Sequence, residues 1–110
     1  MRYLLALCGA MWMATGQLAL ADDLPKIELR IKDHTFVPSE VHVPMGKPVV
    51  LVIHNDDDAP EEFDSPALKV EHVVAGHTTG AVRLRPLGPG KFPFSGEYHP
   101  DTAQGVVISE

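Results

Sequence analysis

The sequence is almost free of cysteine: its single cysteine, Cys8, lies in a leader segment that we expect to be removed. An apolar run over residues 3–20 ends in a small-x-small cleavage site directly before Asp22, which is typical of a Sec-type signal peptide over residues 1–21. We therefore predict export to the periplasm and a mature domain of residues 22–110. That domain has no disulfide, no thiolate ligand and no thiol nucleophile.

Positive charge is also scarce, which argues against several kinds of partner. Nine lysine and arginine residues stand against fifteen aspartate and glutamate residues, and the net charge of −6 becomes −7 when Arg2 is removed with the leader. An acidic chain without a basic patch is a poor ligand for nucleic acid or for an anionic membrane. The apolar run of the leader is too short to span a bilayer, so we expect no direct membrane anchor. We expect the domain to attract cations instead.

The sequence has no long helical period, no internal repeat and no low-complexity tract. Lys26–Lys32 alternates strictly between charged and apolar residues, and Val49–Ile53 is a continuous apolar run rich in β-branched residues. Both patterns are typical of strands. Turn-forming residues recur about every eight to twelve positions, as they do in β-sandwiches. The sequence therefore predicts one all-β sandwich domain of about seven to eight short strands.

The order of short motifs along residues 22–110 resembles that of the cupredoxin family. These motifs are Phe36-x-Pro38, Val43-Pro44-x-Gly46, an apolar strand ending at Asn55, Pro89-Gly90-x-Phe92-x-Phe94, Tyr98-His99-Pro100, and Gly105 before a final strand. The resemblance implies a Greek-key sandwich with a mononuclear metal site at one end. The loop after a middle strand and the last inter-strand loop would hold that site.

The chain departs from the blue-copper members of the family at most of the ligand positions. Gly96 stands where those members have a cysteine, and Thr102 and Ala103 stand where they have a methionine. The first histidine ligand falls near Glu61–Glu62, so His99 alone keeps its residue type. The colour and the fast one-electron chemistry of a copper-thiolate carrier depend on the cysteine sulfur, so that function is excluded.

The remaining candidate ligands are harder donors on two loops. Glu62 and Asp64 would share one face of the chain if Phe63 points into the core, because side chains alternate along a strand. Glu97 and His99 share parity in the last loop. Further candidates are Asp101 and His34. Such donors suit ferrous, ferric or cupric ions better than cuprous ion, so the expected cofactor is a copper and/or iron ion.

Each candidate also has an ordinary structural interpretation. Glu62 and Glu97 fit solvated loop positions, Asp64 fits a cap or turn, and Asp101 beside Pro100 fits a turn former.

A narrower resemblance suggests a biological role. Glu62-Phe63-Asp64-Ser65, Leu68-Lys69-x-Glu71 and Gly96-Glu97-Tyr98-His99 are similar to Cys-poor, cupredoxin-like periplasmic proteins that accompany bacterial ferrous-iron permeases. The resemblance implies an iron-uptake protein that oxidises Fe(II) or hands it to an inner-membrane iron permease or another periplasmic iron-binding protein. Two alternatives stay open: a non-redox copper or iron chaperone, and a structural or interaction sandwich with a decayed metal site.

Overall fold

The computed structural model describes residues 24–110, so the predicted signal peptide and the start of the predicted mature domain lie outside the described residues. The described part forms nine strands, slightly more than the seven or eight expected, and it has no helix long and apolar enough to cross a membrane. The strands are β1 (Lys26–Lys32), β2 (Thr35–Val37), β3 (Glu40–Val43), β4 (Val49–Asn55), β5 (Glu61–Ser65), β6 (Val70–Val74), β7 (Thr79–Leu84), β8 (Gly90–Gly96) and β9 (Gln104–Ser109).

The strands pair in two sheets, which confirms the predicted all-β Greek-key sandwich. The four-stranded sheet has the order β2-β1-β4-β7, and the five-stranded sheet has the order β3-β9-β8-β5-β6. β1 pairs with β4 in parallel and β3 pairs with β9 in parallel, whereas the other neighbours are antiparallel. The chain therefore crosses between the sheets instead of running as a meander. The predicted apolar strand, β4, lies inside its sheet with one face buried and the other half-buried.

Three phenylalanines join the two sheets in the core. Phe36 lies on β2, while Phe63 and Phe94 lie on β5 and β8 of the opposite sheet. Their ring centroids are 4.8 to 5.9 Å apart, in stacked and edge-to-face arrangements that aromatic quadrupoles favour. Burying each of these side chains contributes about 1.5–3 kcal/mol.

One end of the sandwich gathers loops from both sheets. β1 and β4 end there in the four-stranded sheet, and β8 ends there beside the start of β5. The turn at residues 33–34, the loop at residues 56–60 and the loop at residues 97–103 thus come together, although they are far apart in sequence. This end carries the candidate site.

Candidate metal centre

Glu61 is the first residue of β5 and its side chain points into the sandwich, with only 1% of the residue exposed. Its Oε1 accepts backbone N–H groups from Glu62 at 3.0 Å and from Tyr98 at 2.9 Å. Its Oε2 accepts the Nδ1 of His99 at 2.6 Å. A buried carboxylate needs such partners, and here one donor from β5 and two from the loop after β8 provide them.

His99 sits in a tight turn that fixes the direction of its side chain. The His99 N–H donates to the Gly96 carbonyl at 3.2 Å, and the His99 carbonyl accepts the N–H groups of Thr102 and Ala103. The imidazole is 26% exposed, so one edge faces the buried carboxylate and the other lies near solvent. Glu61 and His99 form a half-buried pair that is open to the end of the sandwich.

The two positions that lack their expected sulfur ligands are filled differently. A Cβ built on Gly96 would lie 2.6 Å from the Glu61 Cδ and 2.6 Å from the Ala103 Cβ. Real Cβ atoms do not approach so closely, so a side chain at position 96 and the Glu61 carboxylate exclude each other. Ala103 is completely buried against the same space. The carboxylate has taken the room that a ligand at position 96 would occupy.

His34 covers His99 from the four-stranded sheet. The two imidazole rings are stacked, with centroids 3.7 Å apart and planes inclined by 12°. The His34 carbonyl accepts the hydroxyl of Thr102 at 2.6 Å, which ties the β1–β2 turn to the loop that carries His99. The structure thus brings the sequence-predicted His34 and His99 together, with Glu61 behind them.

Glu62 and Asp64 lie together, as alternation predicted, but on the outer face of the five-stranded sheet. Glu71, which pairs with Asp64 across β5 and β6, joins them. One carboxylate oxygen from each lies within 4.8 Å of the others, which no other three acidic, histidine or cysteine residues achieve within residues 24–110. Partial burial raises the pKa of Glu62, and the neighbouring carboxylates of Asp64, Glu71 and Glu97 raise it further. We call Glu62, Asp64 and Glu71 the outer carboxylate cluster.

The side chains of the other predicted ligands in the last loop, Glu97 and Asp101, are exposed and do not join the Glu61–His99 pair. β8 ends at Gly96, so the strand alternation that would have placed Glu97 and His99 on one face does not extend to them. The Glu97 N–H donates to the Glu62 carbonyl at 2.9 Å, and the Glu97 side chain is exposed near the outer carboxylate cluster. Asp101 is exposed in the turn.

The sequence reasoning missed Glu61 in favour of its neighbour Glu62. Glu61 and Phe63 have the same parity, so a buried Phe63 implies an inward Glu61 as well as an outward Glu62 and Asp64. The strand has this arrangement, with residues 61, 63 and 65 buried and residues 62 and 64 half-buried. The cue was therefore present in the pattern.

The donors at the end of the sandwich fit a cupric or iron ion in type. One carboxylate and two imidazoles are ligands for Cu(II) and for ferrous iron, and this end has no thiolate for Cu(I). Glu61 Oε2 and His99 Nδ1 lie 2.6 Å apart in a direct hydrogen bond, so the two side chains would have to separate to admit an ion. The His34 ring is stacked on that of His99, and within residues 24–110 the three side chains do not bring their ligand atoms together, so His34 would have to turn out of the stack to become a third ligand.

Comparison with known proteins identifies the family of this fold. A family model described as a cupredoxin-like domain matches residues 4–109. An uncharacterised protein of Rickettsia prowazekii (strain Madrid E) is 40% identical over 104 residues, which represent 94% of this chain and 83% of the relative.

Two solved structures share the fold at low sequence identity. Auracyanin A, a blue copper protein from Chloroflexus aurantiacus, has a TM-score of 0.67 and 16% identity over 77% of this chain and 98% of its own. The metal-binding domain of a Streptococcus pneumoniae D39 Cu(I)-exporting P-type ATPase, solved with Cu(I), has a TM-score of 0.66 and 15% identity over 77% of this chain and 84% of its own. At such identities the likeness establishes the fold alone.

Proposed function

The chain belongs to the family of cupredoxin-like domains, and we propose that it binds one cupric or iron ion at the buried Glu61–His99 pair and serves iron uptake. The observation that carries the proposal is the convergence of Glu61 Oε2 and His99 Nδ1 at 2.6 Å, at the end of a sandwich whose relatives in fold bind copper. Neither residue type is a common occupant of a sandwich interior unless it is paired or bound to a metal.

The residues of this chain determine which ion the site takes. Glu61 supplies a negative charge, which favours a divalent or trivalent ion, and His99 and His34 supply borderline nitrogen donors. A bound Cu(II) would supply a one-electron acceptor. Glu61 and the stacked His34 would hold water away from the inner side of His99, while its open edge leaves a path from solvent.

Iron is proposed as the substrate or cargo because the surface beside the pair is rich in oxygen donors. Two residues of the outer carboxylate cluster, Glu62 and Asp64, follow Glu61 on β5, Glu71 lies opposite them on β6, and Glu97 adds a further negative charge. Oxygen donors stabilise Fe(III) over Fe(II), so they favour the loss of one electron from bound Fe(II). Ferroxidase activity and delivery to an inner-membrane iron permease, after export to the periplasm, stay predictions.

A structural role is the second candidate, and one observation favours it. Glu61 has all its hydrogen bonds satisfied by Glu62, Tyr98 and His99 without any ion. The hydrogen-bonded Glu61–His99 pair would then hold the last loop against β5 in place of a lost metal ion. This structural role predicts that the protein binds neither copper nor iron stoichiometrically.

The experiment that separates these functions starts from purified protein stripped of metal. It is loaded with one equivalent of Cu(II), and Fe(II) loss in air is followed against free Cu(II), with dioxygen as the electron acceptor. The variants are His99→Ala and the matched control His77→Ala, which removes an exposed histidine whose imidazole pairs with Asp58.

Each result selects one function. Multiple turnovers that are lost in His99→Ala and kept in His77→Ala would support ferroxidase activity. Stoichiometric binding of Cu(II) or Fe(II) without acceleration, again lost only in His99→Ala, would support a non-redox carrier. Failure of the unaltered protein to bind either ion would refute metal binding and leave the structural role of the Glu61–His99 pair.

A further inference from the structure

The turn that carries His34 is the two-residue loop of the β1–β2 hairpin, because Lys32 pairs with Thr35. Asp33 and His34 both have positive φ, at 53° and 59°, as the central residues of a type I′ hairpin turn require. Glycine often occupies such positions, whereas both residues here carry a Cβ. Contacts from elsewhere in the molecule can therefore add to the stability of this turn.

The main contact is the carboxylate of Asp57, from the loop that follows β4. Its Oδ1 accepts the Asp33 N–H at 2.8 Å and its Oδ2 accepts the His34 N–H at 2.9 Å. Two consecutive left-handed residues direct their N–H groups to one side, which creates a concave site for an anion. Here a side chain of the same protein occupies that site.

Asp57 is itself held by the core. Its N–H donates to the Asn55 side-chain oxygen at 2.9 Å, and its carbonyl accepts the His77 N–H at 3.0 Å. Asn55 is buried at the end of β4, and its amide donates to the carbonyls of Ala59 and Val74. A continuous series of hydrogen bonds thus runs from a buried strand end through Asp57 to the backbone of His34.

Electrostatics agree with this geometry. Burial by itself raises the pKa of Asp57, but the N–H groups of His34 and Asp33, together with the nearby imidazoles of His34 and His99, bring the net pKa below the ordinary value. The carboxylate is therefore ionised, and accepts both hydrogen bonds, across the whole neutral range.

We propose that Asp57 is the positioning residue of the metal centre: it holds the Asp33–His34 turn so that the His34 imidazole stacks on His99, from where it could turn toward an ion at Glu61 and His99. The second half of this statement rests on the proposed function, whereas the first half concerns the metal-free protein alone. Asp57 would touch no ion. Its effect would pass through the backbone of His34.

The first test uses the metal-free protein and measures nuclear Overhauser effects between the ring protons of His34 and His99. The variants are Asp57→Ala and the milder Asp57→Asn, which keeps one acceptor and the side-chain shape. Asp58→Asn is the matched control, since it removes a neighbouring carboxylate that bonds His77 and not the turn.

Cross-peaks should persist in Asp58→Asn, weaken in Asp57→Asn and vanish in Asp57→Ala. Cross-peaks of unchanged intensity in both Asp57 variants would overturn the proposal, and if Asp57→Ala does not fold, Asp57→Asn decides.

The second test measures Cu(II) binding and its electron paramagnetic resonance spectrum in the same variants. Loss of a residue that orients a ligand typically weakens metal binding about 10- to 100-fold, so Asp57→Ala should lose about that factor and one nitrogen ligand from the spectrum. His34→Ala should match it, and the double variant should add nothing. An unchanged spectrum in Asp57→Ala would overturn the link to the metal. If the unaltered protein binds no Cu(II), the proposed function fails, while the ring contacts still decide the role of Asp57.

Discussion

Replacing Glu61 with alanine should destabilise the protein far more than replacing Glu62, although the two residues are adjacent and of the same type. Glu61 is 1% exposed and accepts the N–H groups of Glu62 and Tyr98 and the imidazole of His99. Alanine would leave a cavity and three donors without their acceptor. Glu62 lies half-buried on the outer face, where its nearest charged neighbours are other carboxylates.

The expected magnitude follows from the contacts. A buried donor that loses its acceptor costs about 1–3 kcal/mol of stability. Glu61→Ala would leave three such donors, but water entering at the exposed edge of His99 would satisfy some of them and lower the total cost. We take a loss of about 3–5 kcal/mol for Glu61→Ala, at the lower end of what three such donors would cost. A domain of this size has roughly 4–13 kcal/mol of total stability, so the variant would lose a large part of it. Glu62→Ala should change stability far less, because the Glu62 side chain reaches solvent on the outer face.

Urea denaturation of the metal-free variants, followed by circular dichroism, measures this difference. With a slope of about 1–2 kcal/mol/M, the midpoint of Glu61→Ala should fall by about 1.5 M or more, and that of Glu62→Ala should hardly move. Glu61→Gln keeps the shape and one acceptor oxygen, so it should lie between them. Equal midpoints for the two alanine variants would refute the inward orientation of Glu61 and, with it, the site.

Further expectations concern other parts of the molecule. Gly96→Cys should lose about 1–3 kcal/mol by overpacking and should not turn blue with Cu(II), because the carboxylate fills that space; intense visible absorption would contradict this. Hydrogen bonds with the carboxylates of Glu110 and Glu40 raise the pKa of His42, so their stabilisation is complete below pH 6.5 and is lost as pH rises through the raised pKa. His42→Gln should flatten this decline in denaturation curves taken from pH 5 to 9, and an unaltered slope would count against the contacts. Burial and neighbouring carboxylates raise the pKa of Glu62, so stability should fall as pH rises from the ordinary value of 4.5 through the raised pKa. Glu62→Gln should remove that fall and be the more stable form at pH 7; a variant less stable than the unaltered protein there would contradict it.

Most of the fold could be predicted because the longer strands have recognisable patterns within their own short segments of sequence. The alternation of Lys26–Lys32 and the apolar run of Val49–Ile53 became β1 and β4 with nearly the expected bounds. The split of short segments such as Thr35–Val37 and Glu40–Val43 into separate strands was less evident. Three or four residues contain too few alternations to identify a strand, and their pairing with distant partners makes them one.

The site was only partly predictable, because its residues belong to different loops. Replacement of the sulfur ligands by Gly96 and by Thr102 and Ala103 could be read directly, and so could the survival of His99. The position of Glu97 could not, because the alternation that linked it to His99 ends with the strand.

By itself the sequence determined the fold class, the absence of cysteine from residues 22–110, the loss of sulfur donors at the family's ligand positions and the two segments that contribute the main donors. These properties depend on residue type and on short-range periodicity. Only the tertiary structure decided that Glu61 faces His99, that Asp57 accepts the N–H of His34, and that the His34 ring stacks on the same imidazole. The alternation of residues along a strand indicates which side chains share a face of the sheet. Which of the two faces is buried depends on where the opposite sheet packs. The carboxylate that accepts the N–H groups of the Asp33–His34 turn likewise comes from a loop distant in sequence.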